Sequence, residues 1–307
     1  MASLLETLRS GRVLLMDGAM GTELQRAGIR ESECYEAWNL THPDKVRAIH
    51  QAYVDAGAEV LLTNTFQANP IRLANHGLEL QLEAIHQAAI SLAGSVIARG
   101  GPVLIDVGPI PTELRGDWNG IRAWLKRVVS SSRYAAGILL ETYSGWMVQT
   151  AVRYLKDLRG EFKHGRAMPA MLSLAFDRPT GDFYCTLDGQ ELETLAQWDN
   201  QSGISALGVN CGRDIGINEI VEIIRRYRQE TDLPLFARPN AGTPTRVGDR
   251  WVYPLTPEKM AERLPELLEA GVNMVGGCCG TTPEHIAAMR PIIDAWNAKR
   301  GFASNQS

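Results

Sequence analysis

The chain of 307 residues holds only five cysteines, and none of them forms a C-x2-C pair. So few, in odd number, exclude the disulfide framework that staples small secreted domains. Basic residues are in deficit: 31 Lys and Arg against 35 Asp and Glu leave a formal net charge of -4. That excludes the clustered positive excess needed for non-specific nucleic-acid binding. No apolar run approaches the roughly 18 residues that span a bilayer. There is no low-complexity tract, no long run of like charge and no linker. The opening "MASLLETLRSGRVLL" carries Glu6 inside a helix-like pattern and no clear cleavage site, so it reads as structure rather than a signal peptide. Only the closing "GFASNQS", residues 301–307, reads as a disordered tail. These absences lead to one domain over residues 1–300, placed in a reducing, cytoplasmic compartment, with its thiols kept for a metal or for reactivity.

What is present is a regular alternation. Eight short apolar runs, "RVLLMD", "EVLLTNTF", "PVLIDVG", "GILLETYS", "AMLSLAF", "ALGVNC", "LPLFARPNA" and "NMVGGCC", are separated by amphipathic stretches such as "HPDKVRAIHQAYVDAG" and "INEIVEIIRRYRQETD". Strands that are apolar throughout are buried on both faces, as in parallel sheets covered by helices. Eight such units in a chain of this length predict a (β/α)8 TIM barrel. The competing fold is an open doubly wound sheet, but "DGAMGTE" has only Gly18 and Gly21 where a dinucleotide fingerprint needs three glycines.

A barrel puts its chemistry at the C-terminal ends of its strands. Those ends are Asp17, Thr63 with Asn64, Asp106, Glu141, Ser173, Asn210 with Cys211, Asn240, and Cys278 with Cys279. Strands six and eight stand roughly 10 Å apart, two steps of about 4.8 Å, so inward-leaning side chains of Cys211, Cys278 and Cys279 can meet over the mouth. Three thiolates suit zinc and leave one tetrahedral position open for a substrate. Inert buried core cysteines are the other reading of the same spacing. Cys34 and Cys185 carry no assignment. His50, His86 and His285 fall on helical stretches and read as surface or packing residues, and Thr282 with Pro283 reads as a helix start.

"MDGAMGTELQRAG", "AGAEVLLTNTFQAN", "LGVNCG", "RPNAGTP" and "GVNMVGGCCGTTPEHI" resemble, in order, the motifs of the homocysteine S-methyltransferase family. The pattern is closest to the homocysteine-binding module of cobalamin-dependent methionine synthase. The resemblance implies a (β/α)8 barrel whose zinc is held by Cys211, Cys278 and Cys279. It implies that Asp17 and Glu141 hold the amino group of homocysteine, with the turn Gly18, Ala19 and Met20 nearby, and that Asn240 approaches the metal when no substrate is bound. A glycine-rich turn before a helix offers N–H donors to the substrate carboxylate. An N-cap for Asp17 and a buried ion pair for Glu141 are the structural alternatives.

The methyl donor is less determined. No histidine lies in a corrinoid-binding Asp-x-His-x-x-Gly arrangement, and the sequence ends after the homocysteine module. The methyl group is therefore expected from methylcobalamin on a partner corrinoid protein. The alternatives are a small donor such as S-methylmethionine or betaine, or a homocysteine-binding subunit inactive without its partner. Arg238, before "PNAG", has no place in this scheme.

Overall fold

The computed structural model describes residues 3–98, 100–159, 168–177, 184–186, 189–192, 194, 203–248 and 250–302. The tail expected after residue 300 thus lies, from 303 onward, outside the described residues.

Eight parallel strands form one sheet: β1 (Leu14–Leu15), β2 (Leu61–Leu62), β3 (Val103–Val107), β4 (Gly137–Tyr143), β5 (Ala170–Leu174), β6 (Ala206–Val209), β7 (Leu235–Ala237) and, after a small antiparallel hairpin of β8 (Thr245–Val247) and β9 (Arg250–Val252), β10 (Met274–Val275). Their spatial order is β1-β10-β7-β6-β5-β4-β3-β2. A parallel bridge from Met16 to Val60, with the Asp17 N–H donating to the Val60 carbonyl at 3.0 Å, joins the two ends. The strands therefore follow one another around a (β/α)8 TIM barrel in chain order, as the alternation predicts, and the open doubly wound sheet is excluded.

The two faces of each strand are both apolar, for different reasons. Leu14, Met16, Val60, Leu62, Leu104, Leu139, Met171, Ala206, Phe236 and Met274 point inward and pack together; Leu4 and Leu8 of the first helix (Leu4–Arg9) join them. Their neighbours in sequence, among them Leu15, Leu61, Ile105, Leu140, Leu172, Leu207 and Leu235, pack outward under the helices. Each such side chain, fully buried, contributes about 1.5–3 kcal/mol. The first helix is fixed by a capping box between Ser3 and Glu6.

Among the described residues, no helix is long and apolar enough to cross a membrane. His50, His86 and His285 are all buried, so the packing half of their expected role holds and the surface half does not. Burial pushes His50 and His86 down to about 4, which leaves both rings neutral.

Candidate metal and substrate site

The two-residue period of a strand carries each inward apolar position to a polar one at the mouth. Leu104 leads to Asp106, Leu139 to Glu141, Met171 to Ser173, Phe236 to Arg238, and Ala206 through Gly208 to Asn210. All of these polar residues are buried.

The sulfurs of Cys211, Cys278 and Cys279 lie within 4.8 Å of one another, on the carboxyl ends of β6 and β10. Cys278 and Cys279 are 3.9 Å apart at Sγ. A tetrahedral ion with bonds of about 2.3 Å spaces its sulfurs about 3.8 Å apart, close to the Cys278–Cys279 separation, so the donor set suits a zinc ion. The backbone holds this geometry: the Cys278 N–H donates to Pro239 O at 2.9 Å and the Ala241 N–H to Cys279 O at 3.0 Å. Asn240 sits between those two bonds, and its Oδ1 is buried without a hydrogen-bond partner. Asn210 Nδ2 donates to Cys211 Sγ at 3.3 Å and to Thr142 Oγ1 at 2.7 Å, while its Oδ1 accepts from Ser173 at 2.7 Å. The neighbouring thiols of Cys211 and Cys278 hold the Cys279 thiol well below the ordinary thiol range, against burial.

Next to the sulfurs lies a buried charge cluster. Arg238 pairs with Glu141, with Asp17 Oδ1 at 3.4 Å and with the carbonyl of Gly18 at 3.3 Å; its side chain is 4% exposed. Asp17 Oδ2 also accepts from the Leu62 N–H at 2.8 Å. Burial pushes Asp17 and Glu141 each up to about 7, against the pull of Arg238. Burial also raises Asp106 well above the carboxylate range, and its Oδ1 has no partner. Burial opposes the charge on Arg238, but Glu141 and Asp17 keep it protonated. Glu141 reaches this cluster from an irregular strand: the β4–β5 register shifts between Leu140 and Tyr143, and Thr142 has φ 64°. Such a bulge re-aims the residue beside it.

The N-cap alternative for Asp17 is not realised, since the next helix (Gly21–Arg26) has Met20 at its N-cap. Of the turn expected to donate N–H groups, Ala19 is already engaged, to Thr281 Oγ1 at 3.1 Å. Among the described residues, the N–H groups of Gly18 and Met20 have no hydrogen-bond partner. Gly18 is required by space: a Cβ there would lie 2.8 Å from both Thr281 Oγ1 and Tyr53. Thr63 and Asn64 hold the mouth together. Thr63 Oγ1 accepts from the Asp106 N–H at 3.1 Å, and Asn64 Nδ2 donates to Tyr35 O at 2.8 Å. Cys34, buried beside Glu36, and Cys185 stand outside the sulfur cluster. His285 Nδ1 accepts from the Thr282 N–H at 3.2 Å, capping the helix Pro283–Lys299.

The family profile described as homocysteine S-methyltransferase matches residues 14–293. The chain belongs to the homocysteine S-methyltransferase family. Within it, methionine synthase of Mycobacterium leprae (strain TN) is 32% identical over 317 residues, covering 96% of this chain and 25% of that protein. Methionine synthase of Mycobacterium tuberculosis (strain ATCC 25618 / H37Rv) is 32% identical over 295 residues, covering 90% and 24%. The chain thus spans about a quarter of the length of these curated relatives. Among solved structures, the metallated form of the homocysteine methyltransferase MmuM from Escherichia coli superposes with a TM-score of 0.72 at 25% identity, covering 91% of this chain and 96% of that one.

The raised carboxyl at Asp17 has a measurable consequence in this member of the homocysteine S-methyltransferase family. Between about pH 4 and pH 7 the folded, metal-free chain holds a proton at Asp17 that the unfolded chain has released. Stability from this group is therefore lost as pH rises through that window and levels off above it. The unfolding free energy of the wild type relative to Asp17→Asn should fall by about 1.4 kcal/mol per pH unit inside the window. Urea titrations at four pH values measure it, and a difference that stays flat with pH contradicts the assignment.

Proposed function

We propose that this chain is a zinc-dependent homocysteine S-methyltransferase that forms methionine with a methyl group from methylcobalamin carried by a partner corrinoid protein. The observation that carries the reading is the sulfur trio, sized for a tetrahedral ion, beside buried carboxyls at one barrel mouth. Cys211, Cys278 and Cys279 would hold the zinc, which supplies a lowered thiol pKa and a fixed position for the substrate sulfur. Three sulfur donors make the centre formally anionic, which keeps that sulfur nucleophilic. Asn240, with its orphaned Oδ1, suits the fourth position before substrate enters.

Asp17 and Glu141 receive the substrate ammonium, and the N–H groups of Gly18 and Met20 face its carboxylate. Bound in this way at both ends, homocysteine has only its side chain free to reach the sulfurs. Its thiol proton leaves to solvent, its sulfur forms a bond to the methyl carbon with its own electron pair, and the donor departs in line with the pair of the bond that breaks. The protein supplies alignment of the two reacting atoms. Five free cysteines accord with the cytoplasmic placement.

The test is methionine production by zinc-loaded protein from homocysteine and free methylcobalamin, with a chelator-treated control. Zinc-dependent methionine is the expected result. Rapid turnover with S-methylmethionine or betaine, and none with methylcobalamin, would replace the corrinoid donor by a small one. No methionine from any donor until a corrinoid protein is added would identify a partner-dependent subunit.

A further inference from the structure

Ser173 and Asn210 close the fifth and sixth strands of the barrel, and the proposed mechanism gives neither a task. Both are fully buried and belong to one hydrogen-bonded chain that ends on a sulfur. The Ser173 hydroxyl donates to Asn210 Oδ1 at 2.7 Å. Asn210 Nδ2 donates to Thr142 Oγ1 at 2.7 Å and to Cys211 Sγ at 3.3 Å. Strand register brings the pair together: Ser173 lies opposite Gly208, and Asn210 is the next inward position on that side.

The last member of the chain fixes its sense. A thiolate bound to a metal has no proton to give, so the amide must turn Nδ2 towards Cys211. Oδ1 then faces Ser173, and the second N–H goes to Thr142, so both donors and the acceptor are used. Thr142 takes part through an unusual backbone, with φ 64°, which a β-branched residue rarely adopts. Such a conformation persists only where the surroundings over-determine it. The same irregularity of β4 carries Glu141 to the charge cluster and Thr142 to the amide.

Cys211 needs this support more than its two partners do. Cys278 and Cys279 are each held by a backbone bond to the segment after β7. Cys211 lies beyond the end of β6, and among the described residues no backbone hydrogen bond is made by Cys211 itself. Its neighbours are tied instead, the Asn210 N–H to Leu174 O at 3.2 Å and the Arg213 N–H to Phe176 O at 3.1 Å. The sulfur itself is steadied by the amide beside it.

We propose that Asn210 is a positioning residue of the metal centre: its amide, oriented by Ser173 and Thr142, donates to the Cys211 thiolate, fixes where that sulfur stands and withdraws charge from it. The inference rests on the three cysteines being the metal site of the proposed methyltransferase. A thiolate that accepts a hydrogen bond gives less charge to its metal, which leaves more of the metal's pull for a fourth ligand. Asn210 thereby offsets part of the negative charge that three thiolates impose.

The test uses the full chain loaded with cobalt(II), whose sulfur-to-metal charge-transfer band reports directly on the thiolates. Asn210→Ala removes the donor, and the band should move to lower energy. Zinc retention against a chromophoric chelator should fall roughly 10- to 100-fold, the usual range for an outer-sphere partner. Ser173→Ala leaves the amide in place but frees it to turn, so the band should move the same way by less. A merely structural role would lower thermal stability in both variants and leave the band of the bound cobalt where it is. Should Asn210→Ala fail to fold, Ser173→Ala decides alone. An unmoved band, or one moved to higher energy, in the folded variants overturns the Asn210 assignment and leaves the metal site standing. A wild-type chain that takes up no cobalt overturns the metal reading and this inference with it.

Discussion

Cys211→Ala should lose zinc and methyl transfer together. The two sulfurs that remain, Cys278 and Cys279, are neighbours on one strand end and 3.9 Å apart, so they fill only two corners of a tetrahedron. Water or Asn240 would have to complete the shell, and neither returns the thiolate charge that keeps a bound thiol nucleophilic. Loss of a metal's contribution of several kcal/mol corresponds to at least about a thousandfold in turnover. The fold should survive. Cys211 lies beyond the last residue of β6, partly exposed, and the ladder of β5, β6 and β7 does not pass through its side chain. Zinc content after dialysis, turnover and far-ultraviolet dichroism on one preparation separate these effects. Cys34→Ala serves as the contrast, since Cys34 lies apart from the cluster and should leave zinc content at the wild-type level. A Cys211→Ala protein with full zinc and full turnover would remove the foundation of the proposed mechanism.

How far this site can be read in the sequence depends on which interactions are local. The barrel is readable because a doubly covered parallel strand must be apolar on both faces, and the eight runs obey that rule. The mouth is readable because a two-residue period places the polar residue after each inward apolar one. The meeting of Cys211 with Cys278 and Cys279 is not settled by spacing, since inert core thiols show the same pattern; closure of the barrel through β7 brings the sulfurs together. Arg238 shows the limit most clearly. Its inward direction follows from Phe236 two residues earlier, yet its partners come from β1 and β4, on distant stretches of the chain. The engagement of the Ala19 N–H by Thr281 is hidden for the same reason. Thr142 gives no warning either, because a residue with an ordinary side chain in a left-handed conformation is recognised only from the backbone.

Arg238→Met should be the most destabilising substitution at the mouth, and its cost should grow with pH. The guanidinium is the one cation paired with Asp17 and Glu141 among the described residues, and all three side chains are at most 7% exposed. Methionine has comparable length and no charge, so the loss is mainly electrostatic. Breaking a buried ion pair by removing one partner costs about 3–5 kcal/mol. The carboxyls answer by taking up protons: Arg238 now holds Asp17 and Glu141 down, and without it both rise above their present value of about 7. At pH 5.5 the cluster is then largely neutral in the variant and the penalty is small. At pH 8 the variant must either leave the carboxylates unpaired or hold protons against the solvent, and the full penalty is expressed. Urea unfolding of both proteins at the two pH values measures this, and an equal loss at both would show that Arg238 contributes packing rather than charge. The same balance reaches the substrate. Arg238 and an incoming ammonium compete for the same two carboxylates, so the variant should gain more thermal stability from added homocysteine at pH 8 than the wild type does. A smaller gain in the variant would mean that the guanidinium assists the ammonium's binding instead of opposing it.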